Sequence, residues 1–166
     1  NAGKSVNISS GLTPQCGVMM STRPGDYDAG AVNFMSRQLG ISREEYDRIE
    51  TKESGLKGIS GVASGDMRDV EEAMQQGNER AQLAFDVFCE MMRHYIGAYF
   101  VQMNGLDAIT FTGGIGENSI AMRERVCKNL EAIGAKFDDS KNANGDDERP
   151  IHADDSSVQI WIIPTD

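Results

Sequence analysis

The chain has 166 residues, with 26 Asp and Glu against 16 Lys and Arg, and a formal net charge of −10 at pH 7. That balance excludes a general nucleic-acid binder, which needs a basic stripe to neutralise phosphates, and disfavours an anionic membrane surface. No apolar run approaches the roughly 18 residues of a membrane span, no charged-then-apolar signal segment opens the sequence, and the length suffices for a core without disulfides.

Val6 to Ser9 is short and partly β-branched and reads as a strand end, followed by a loop through Gly11, Pro14 and Gly17. Pro24-Gly25 marks a turn. Asp28 is placed to cap a helix with Val32, Met35 and Leu39 on its apolar face and Gly40 at its end. Ser42-Arg43-Glu44-Glu45 is a capping box flanked by the Ile41/Tyr46 hydrophobic staple, and the helix it starts fades near Glu50. Glu53 to Gly65 is rich in glycine and serine and reads as a loop. Asp66 then caps another helix, with Asp69 at N3.

Asn78 starts the longest element. Ala84, Phe88, Met91, Tyr95 and Tyr99 recur at helical spacing, Phe85, Met92 and Ile96 widen the stripe, and Asn104-Gly105 stops it. A helix this apolar is either central to the core or at a dimer contact. Asp107 to Thr112 is a strand with Ile109 and Phe111 on one face. Gly113 to Gly116 turn the chain, and Asn118 or Ser119 caps a helix with Val126, Leu130 and Ile133 inward, ending at Gly134. Residues 136–157 are acidic and polar and read as a solvated, mobile loop. Val158 to Ile163 is a continuous apolar strand, of the kind buried on both faces. Strand, helix and strand from Asp107 onward make a βαβ unit with a parallel pair.

Three segments carry chemistry. In Thr112-Gly113-Gly114-Ile115-Gly116-Glu117-Asn118 a strand runs through glycines into a helix start, so backbone N–H groups can approach an anionic nucleotide. A tight turn without a ligand is the alternative. Arg23, fixed by Pro24-Gly25, can clamp a carboxylate or phosphoryl group with its rigid fork, or pair with Asp26 as an ordinary surface arginine. Asp66-Met67-Arg68 can hold a ribose hydroxyl and a base or phosphate, or simply cap a helix. Gly3-Lys4-Ser5 resembles the tail of a P-loop, but a polar strand follows where a helix is required. Cys16, Cys89 and Cys127 have no metal or disulfide spacing and point to a reduced, cytoplasmic protein.

Together these segments resemble the acetate kinase family of short-chain carboxylate kinases. Gly3-Lys4-Ser5-Val6 through Ser10-Gly11-Leu12-Thr13-Pro14, Met20 to Asp28, Ser60-Gly61 through Asp66-Met67-Arg68-Asp69, and Phe111 to Ser119 follow the family's motifs in order. The resemblance implies an α/β, ribonuclease-H-like domain of the actin/Hsp70/sugar-kinase superfold, two such domains flanking a cleft in the whole protein. It implies Mg2+-dependent phosphoryl transfer between ATP and acetate, or propionate, giving acyl phosphate and ADP, with direct in-line transfer. Arg23 falls on the arginine that stabilises the transferring phosphoryl group. Asp66, Met67 and Arg68, and Gly114, Ile115, Gly116, Glu117 and Asn118, fall on nucleotide-binding segments. The family dimerises through this half.

Ser21 stands where many members have Gly, Asn7 where they have Asp, and Ala29 where they have Pro. The family's metal-binding asparagine, substrate arginine, catalytic aspartate, phosphate-stabilising histidine and H-x-G-N-G loop would precede Asn1, and a Mg2+-holding glutamate would follow Asp166. The chain is therefore expected to be most of a C-terminal nucleotide-binding domain, incomplete at both ends, with its N-terminal domain missing and no metal ligand of its own. The alternative is a non-catalytic nucleotide-binding or dimerisation module of an actin-like ATPase fold.

Overall fold

Polar caps set most helix starts in the computed structural model, which describes residues 3–165. The contacts gather into two units, one of Ile8–Met91 and one of the residues up to Asn7 together with Met92 onward. The division falls inside a single long helix.

The first unit holds α1 (Gly30–Leu39), α2 (Arg43–Lys52), α3 (Gly55–Ser60), α4 (Met67–Gln75) and the first half of α5 (Glu79–Met103). Asp28 Oδ1 accepts the Gly30 N–H at 2.7 Å, yet Ala29 occupies the N-cap position, one residue later than the sequence suggests. Gly40 ends α1 at φ +64°. None of the α1 residues is buried, and Phe34 and Leu39 are exposed. Ser42 Oγ accepts the Glu45 N–H at 3.2 Å, which is half of the expected capping box. Glu45 gives its carboxylate to Arg48 instead, and α2 continues to Lys52, past the predicted fade. Tyr46 from α2 joins Met19, Leu56, Met67, Val70, Ala84, Phe85 and Phe88 in the core. Asn78 Oδ1 accepts the N–H of Arg80 and Ala81 and so caps α5.

Helix α3 corrects the reading of 53–65 as loop alone. Its first amides are satisfied from elsewhere in the chain: Leu56 N–H donates to the Met20 carbonyl and Lys57 N–H to that of Ser21, both at 2.9 Å. At the other end Gly61 closes it at φ +75°, while Arg80 donates to the Ile59 and Gly58 carbonyls at 2.8 Å. Both orphan ends of a six-residue helix are thus supplied by tertiary bonds rather than by propensity.

The second unit holds the second half of α5, β1 (Ala108–Phe111), α6 (Gly113–Asn118), α7 (Ile120–Cys127), a 3-10 turn (Glu131–Ile133), α8 (Asp139–Ala143), β2 (Arg149–Pro150) and β3 (Gln159–Ile162). The sheet order is β1-β3-β2. β1 and β3 are parallel, as predicted, in the register Ala108 to Gln159 through Phe111 to Ile162. β2 adds antiparallel, with Arg149 opposite Ile162. Ile109, Phe111, Ile160 and Ile162 are buried. β3 alternates, with Gln159 exposed and Trp161 half-buried, so it is not the strand buried on both faces that its apolar run suggested. Val6 to Ser9 forms no strand.

Two further expectations change here. The predicted helix after the glycines is split: α7 ends at Cys127, and Asn129 at φ +60° turns the chain into the 3-10 turn that Gly134 closes. The acidic stretch 136–157 carries α8, β2 and a bridge between Phe137 and His152, and it buries Asn142 and Ile151. Lys136 pairs with Asp155, and Lys141 with Asp154. Along α5, only Ala81, Ala84, Phe85, Phe88 and Cys89 are buried; from Met91 onward the apolar stripe is half-buried or exposed.

Candidate functional site

Arg23 lies on a loop held by backbone bonds on both sides. Met20 N–H donates to the Arg23 carbonyl at 3.0 Å, Ser54 N–H donates to the Thr22 carbonyl at 3.1 Å, and Thr22 Oγ1 donates to the Thr51 carbonyl at 2.8 Å. Gly55 makes this approach possible: at φ +62°, a Cβ there would stand 2.1 Å from the Met20 oxygen and 2.6 Å from that of Arg23. Arg23 is half-buried, and its guanidinium forms no hydrogen bond or ion pair among the described residues. The alternative pairing with Asp26 does not occur; Asp26 Oδ1 accepts the Gly17 N–H at 2.9 Å. A rigid backbone presenting an uncommitted guanidinium is what an anion clamp requires.

The same unit brings the third motif against this loop. Gly65, at φ +63°, sits so close to Ser21 that a Cβ would fall 2.5 Å from the Ser21 oxygen. Asp66 follows as the N-cap of α4, its Oδ1 accepting the Arg68 N–H at 2.9 Å. The Arg68 side chain folds back on it through Nε and Nη2 at 3.0 and 2.8 Å. These bonds, the side-chain pair first and the amide second, hold the Asp66 carboxyl down to about 2. Arg68 is 84% exposed even so, leaving most of its fork open to a ligand. Met67 is buried, so its side chain serves the core and only its backbone is left to face a ligand.

The glycine motif belongs to the second unit. Thr112 is extended, and Gly113 takes φ +72° to start α6 directly, so the glycines form a short helix rather than a turn before one. Ser119, one of the two predicted caps, then caps α7 by accepting the Met122 N–H at 3.0 Å. Gly116 is buried, and a Cβ on it would press on the Phe111 backbone at 3.3 Å. Gly114 is different. Its φ is not positive, and a Cβ there would meet nothing within 4 Å. The fold gives no reason for a glycine at 114, whereas close approach of a ligand to the backbone does. Asn118 Nδ2 donates to the Gly114 carbonyl at 2.8 Å.

Glu117 ties the motif together. Its Oε1 accepts the Gly113 N–H at 2.7 Å, the Thr165 N–H at 2.9 Å and the Thr165 hydroxyl at 2.8 Å. These bonds, led by the Thr165 hydroxyl, hold its carboxyl below the usual range. Thr165, Gly55 and Gly65 were not singled out by sequence; the last two carried a signal in their glycine identity beside a motif. Among the described residues, no group of three or more His, Cys, Asp or Glu is placed to hold a metal ion, and no helix is long and apolar enough to cross a membrane.

Comparison with known proteins gives this geometry its setting. Residues 1–166 match the model of the Acetokinase family. The acetate kinase of Clostridium botulinum is 48% identical over 164 residues, which is 99% of this chain and 41% of that protein. The crystal structure of Porphyromonas gingivalis acetate kinase matches with a TM-score of 0.93 at 40% identity, covering 99% of this chain and 41% of that one. A propionate kinase from Francisella tularensis matches with a TM-score of 0.86 at 36% identity, covering 95% of this chain and 40% of that one. The chain thus spans about two fifths of the length of the relatives it matches, and its mixed α/β fold is theirs. It belongs to the Acetokinase family.

Proposed function

We propose that the protein containing this chain transfers a phosphoryl group between ATP and a short-chain carboxylate, acetate or propionate, giving the acyl phosphate and ADP, with this chain supplying the nucleotide-binding half. The observation that carries the reading is the family match over the whole of residues 1–166. Arg23 neutralises charge on the transferring phosphoryl group, a role its uncommitted guanidinium supports. Asp66, Met67 and Arg68 contact the nucleotide, as do residues 114–118, where the space beside Gly114 admits it. Such transfers use Mg2+, whose ligands the reading assigns outside this chain, and no step here runs through it.

A homodimer is part of the proposal, supported by the half-buried Tyr95, Ile96, Tyr99 and Phe100 and the exposed Val101 on α5. A cytoplasmic location is supported by three cysteines that are all free. The test is Arg23→Ala in the whole protein. Turnover should fall about 100- to 1,000-fold while ADP affinity changes little, because only the charge developing in the transition state loses its partner. Turnover near that of the wild type would overturn the role of Arg23.

A further inference from the structure

A buried guanidinium is bonded to the carbonyls of the glycine motif. Arg123, on α7, is 1% exposed. Its Nη1 donates to the carbonyl oxygens of Gly116 and Glu117, each at 2.8 Å, and its Nε donates to Asn142 Oδ1 at 2.7 Å. Asn142, also 1% exposed, lies on α8 in the acidic stretch. Its Nδ2 donates to the Ile120 carbonyl at 3.0 Å, and its own carbonyl accepts Arg149 Nη2 at 2.9 Å. Arg149 in turn donates to the Lys141 and Asp146 carbonyls. A continuous set of bonds therefore runs from the acidic segment, through two buried side chains, to the motif.

A peptide group is planar, so fixing a carbonyl fixes the whole unit. The bonds to Gly116 and Glu117 set the Gly116–Glu117 and Glu117–Asn118 peptide planes, and with them the C-terminal end of α6. The Glu117 carboxylate sets the other end through Gly113. The fork of Arg123 is planar and rigid, so the position of Nε against Asn142 decides where Nη1 points. Satisfied buried networks of this kind rigidify what they touch.

We infer that Arg123 is a positioning residue for the glycine motif and that Asn142 holds it in its working orientation, so that the acidic segment governs nucleotide affinity. The inference rests on the reading of residues 114–118 as a nucleotide contact. Two substitutions in the full-length protein separate position from stability. Asn142→Ala removes both the side-chain acceptor for Arg123 Nε and the donor to Ile120, leaving only the longer bond of 3.5 Å from Arg123 Nη2 to the Asn142 backbone carbonyl. Asn142→Asp removes the donor and keeps the acceptor.

Both variants should melt lower than the wild type. Only Asn142→Ala should raise the KM for ADP, by about tenfold, the order expected for losing one hydrogen bond to a charged group. Its kcat should stay within about twofold, because positioning of bound nucleotide is lost rather than a group acting in the transition state. Asn142→Asp should keep a KM near that of the wild type. An unchanged KM in Asn142→Ala, or an equal rise in both variants, would overturn the positioning role. Calorimetry with ADP on the wild type is the control: no binding there would overturn the nucleotide reading itself, independently of either variant.

Discussion

Substitution of Gly114 by Ala should move stability and nucleotide affinity in opposite directions. The backbone at 114 is right for any L residue, and the added methyl meets no heavy atom within 4 Å. Within a helix, Gly to Ala gains about 0.5–1 kcal/mol. Gly114 is the second residue of the six in α6, so the lower figure applies. About 0.5 kcal/mol corresponds to a rise of about 1–2 °C in Tm for a chain of this size, and to about 1 °C or less in a full-length protein more than twice as long. If the nucleotide approaches the backbone here, the methyl occupies space the ligand needs, and overpacking of that order costs about 1–3 kcal/mol. ADP should then bind about 5- to 150-fold more weakly. Melting curves and ADP calorimetry on the full-length protein read both quantities. Unchanged ADP affinity would refute the close approach of ligand at Gly114, and a Tm lowered by several degrees would refute the open space. Gly116→Ala is the internal contrast: its methyl presses on the Phe111 backbone, so stability should fall whether or not a nucleotide is present.

Two further outcomes test the surrounding devices. Gly55→Ala forces a left-handed backbone on an L residue and drives a methyl into the Met20 and Arg23 carbonyls, so it should cost about 2–4 kcal/mol and lower turnover by displacing Arg23. Gly77→Ala, at φ +85° but facing open space, should cost only about 1–2 kcal/mol and leave turnover unchanged; equal losses in both would refute the link between Gly55 and Arg23. The carboxyl of Glu117 is held below its ordinary value of about 4.3 by Thr165 and Gly113, so its contribution is complete above that pH and is lost as pH falls through its lowered value. Amide-exchange protection of Gly113 and Thr165 should therefore persist down through the ordinary glutamate range and disappear only below it. Glu117→Gln should abolish that dependence, and a loss of protection already at neutral pH in the wild type would refute the bonding scheme.

Local chemistry made the helix starts legible. Ser42, Asp66 and Asn78 cap with their own side chains, within three residues of the amides they serve, and each is readable one position at a time. The parallel pairing of β1 and β3 was equally readable, because two strand-like segments joined through a helix pair in parallel, although the alternating burial of β3 did not show in its apolar run. Glycine spacing marked the motif at 113–118. It could not say which glycine serves the fold and which leaves space, since that depends on Phe111 touching Gly116 and on nothing touching Gly114.

What failed to show in sequence was bonding across long separations. α3 is a poor helix by composition, and its first amides find carbonyls more than 30 residues earlier, at Met20 and Ser21. The acidic stretch reads as solvated because its charges are counted without their partners. In the fold, Lys136 and Lys141 neutralise Asp155 and Asp154, and Arg149 satisfies the carbonyls around α8. Asn142 is polar and is still among the most buried residues, because Arg123, 19 positions away, needs its acceptor. A buried arginine and a buried asparagine each look like surface residues to a composition count. Their burial becomes intelligible once the carbonyls of Gly116 and Glu117 are seen to be what Arg123 holds.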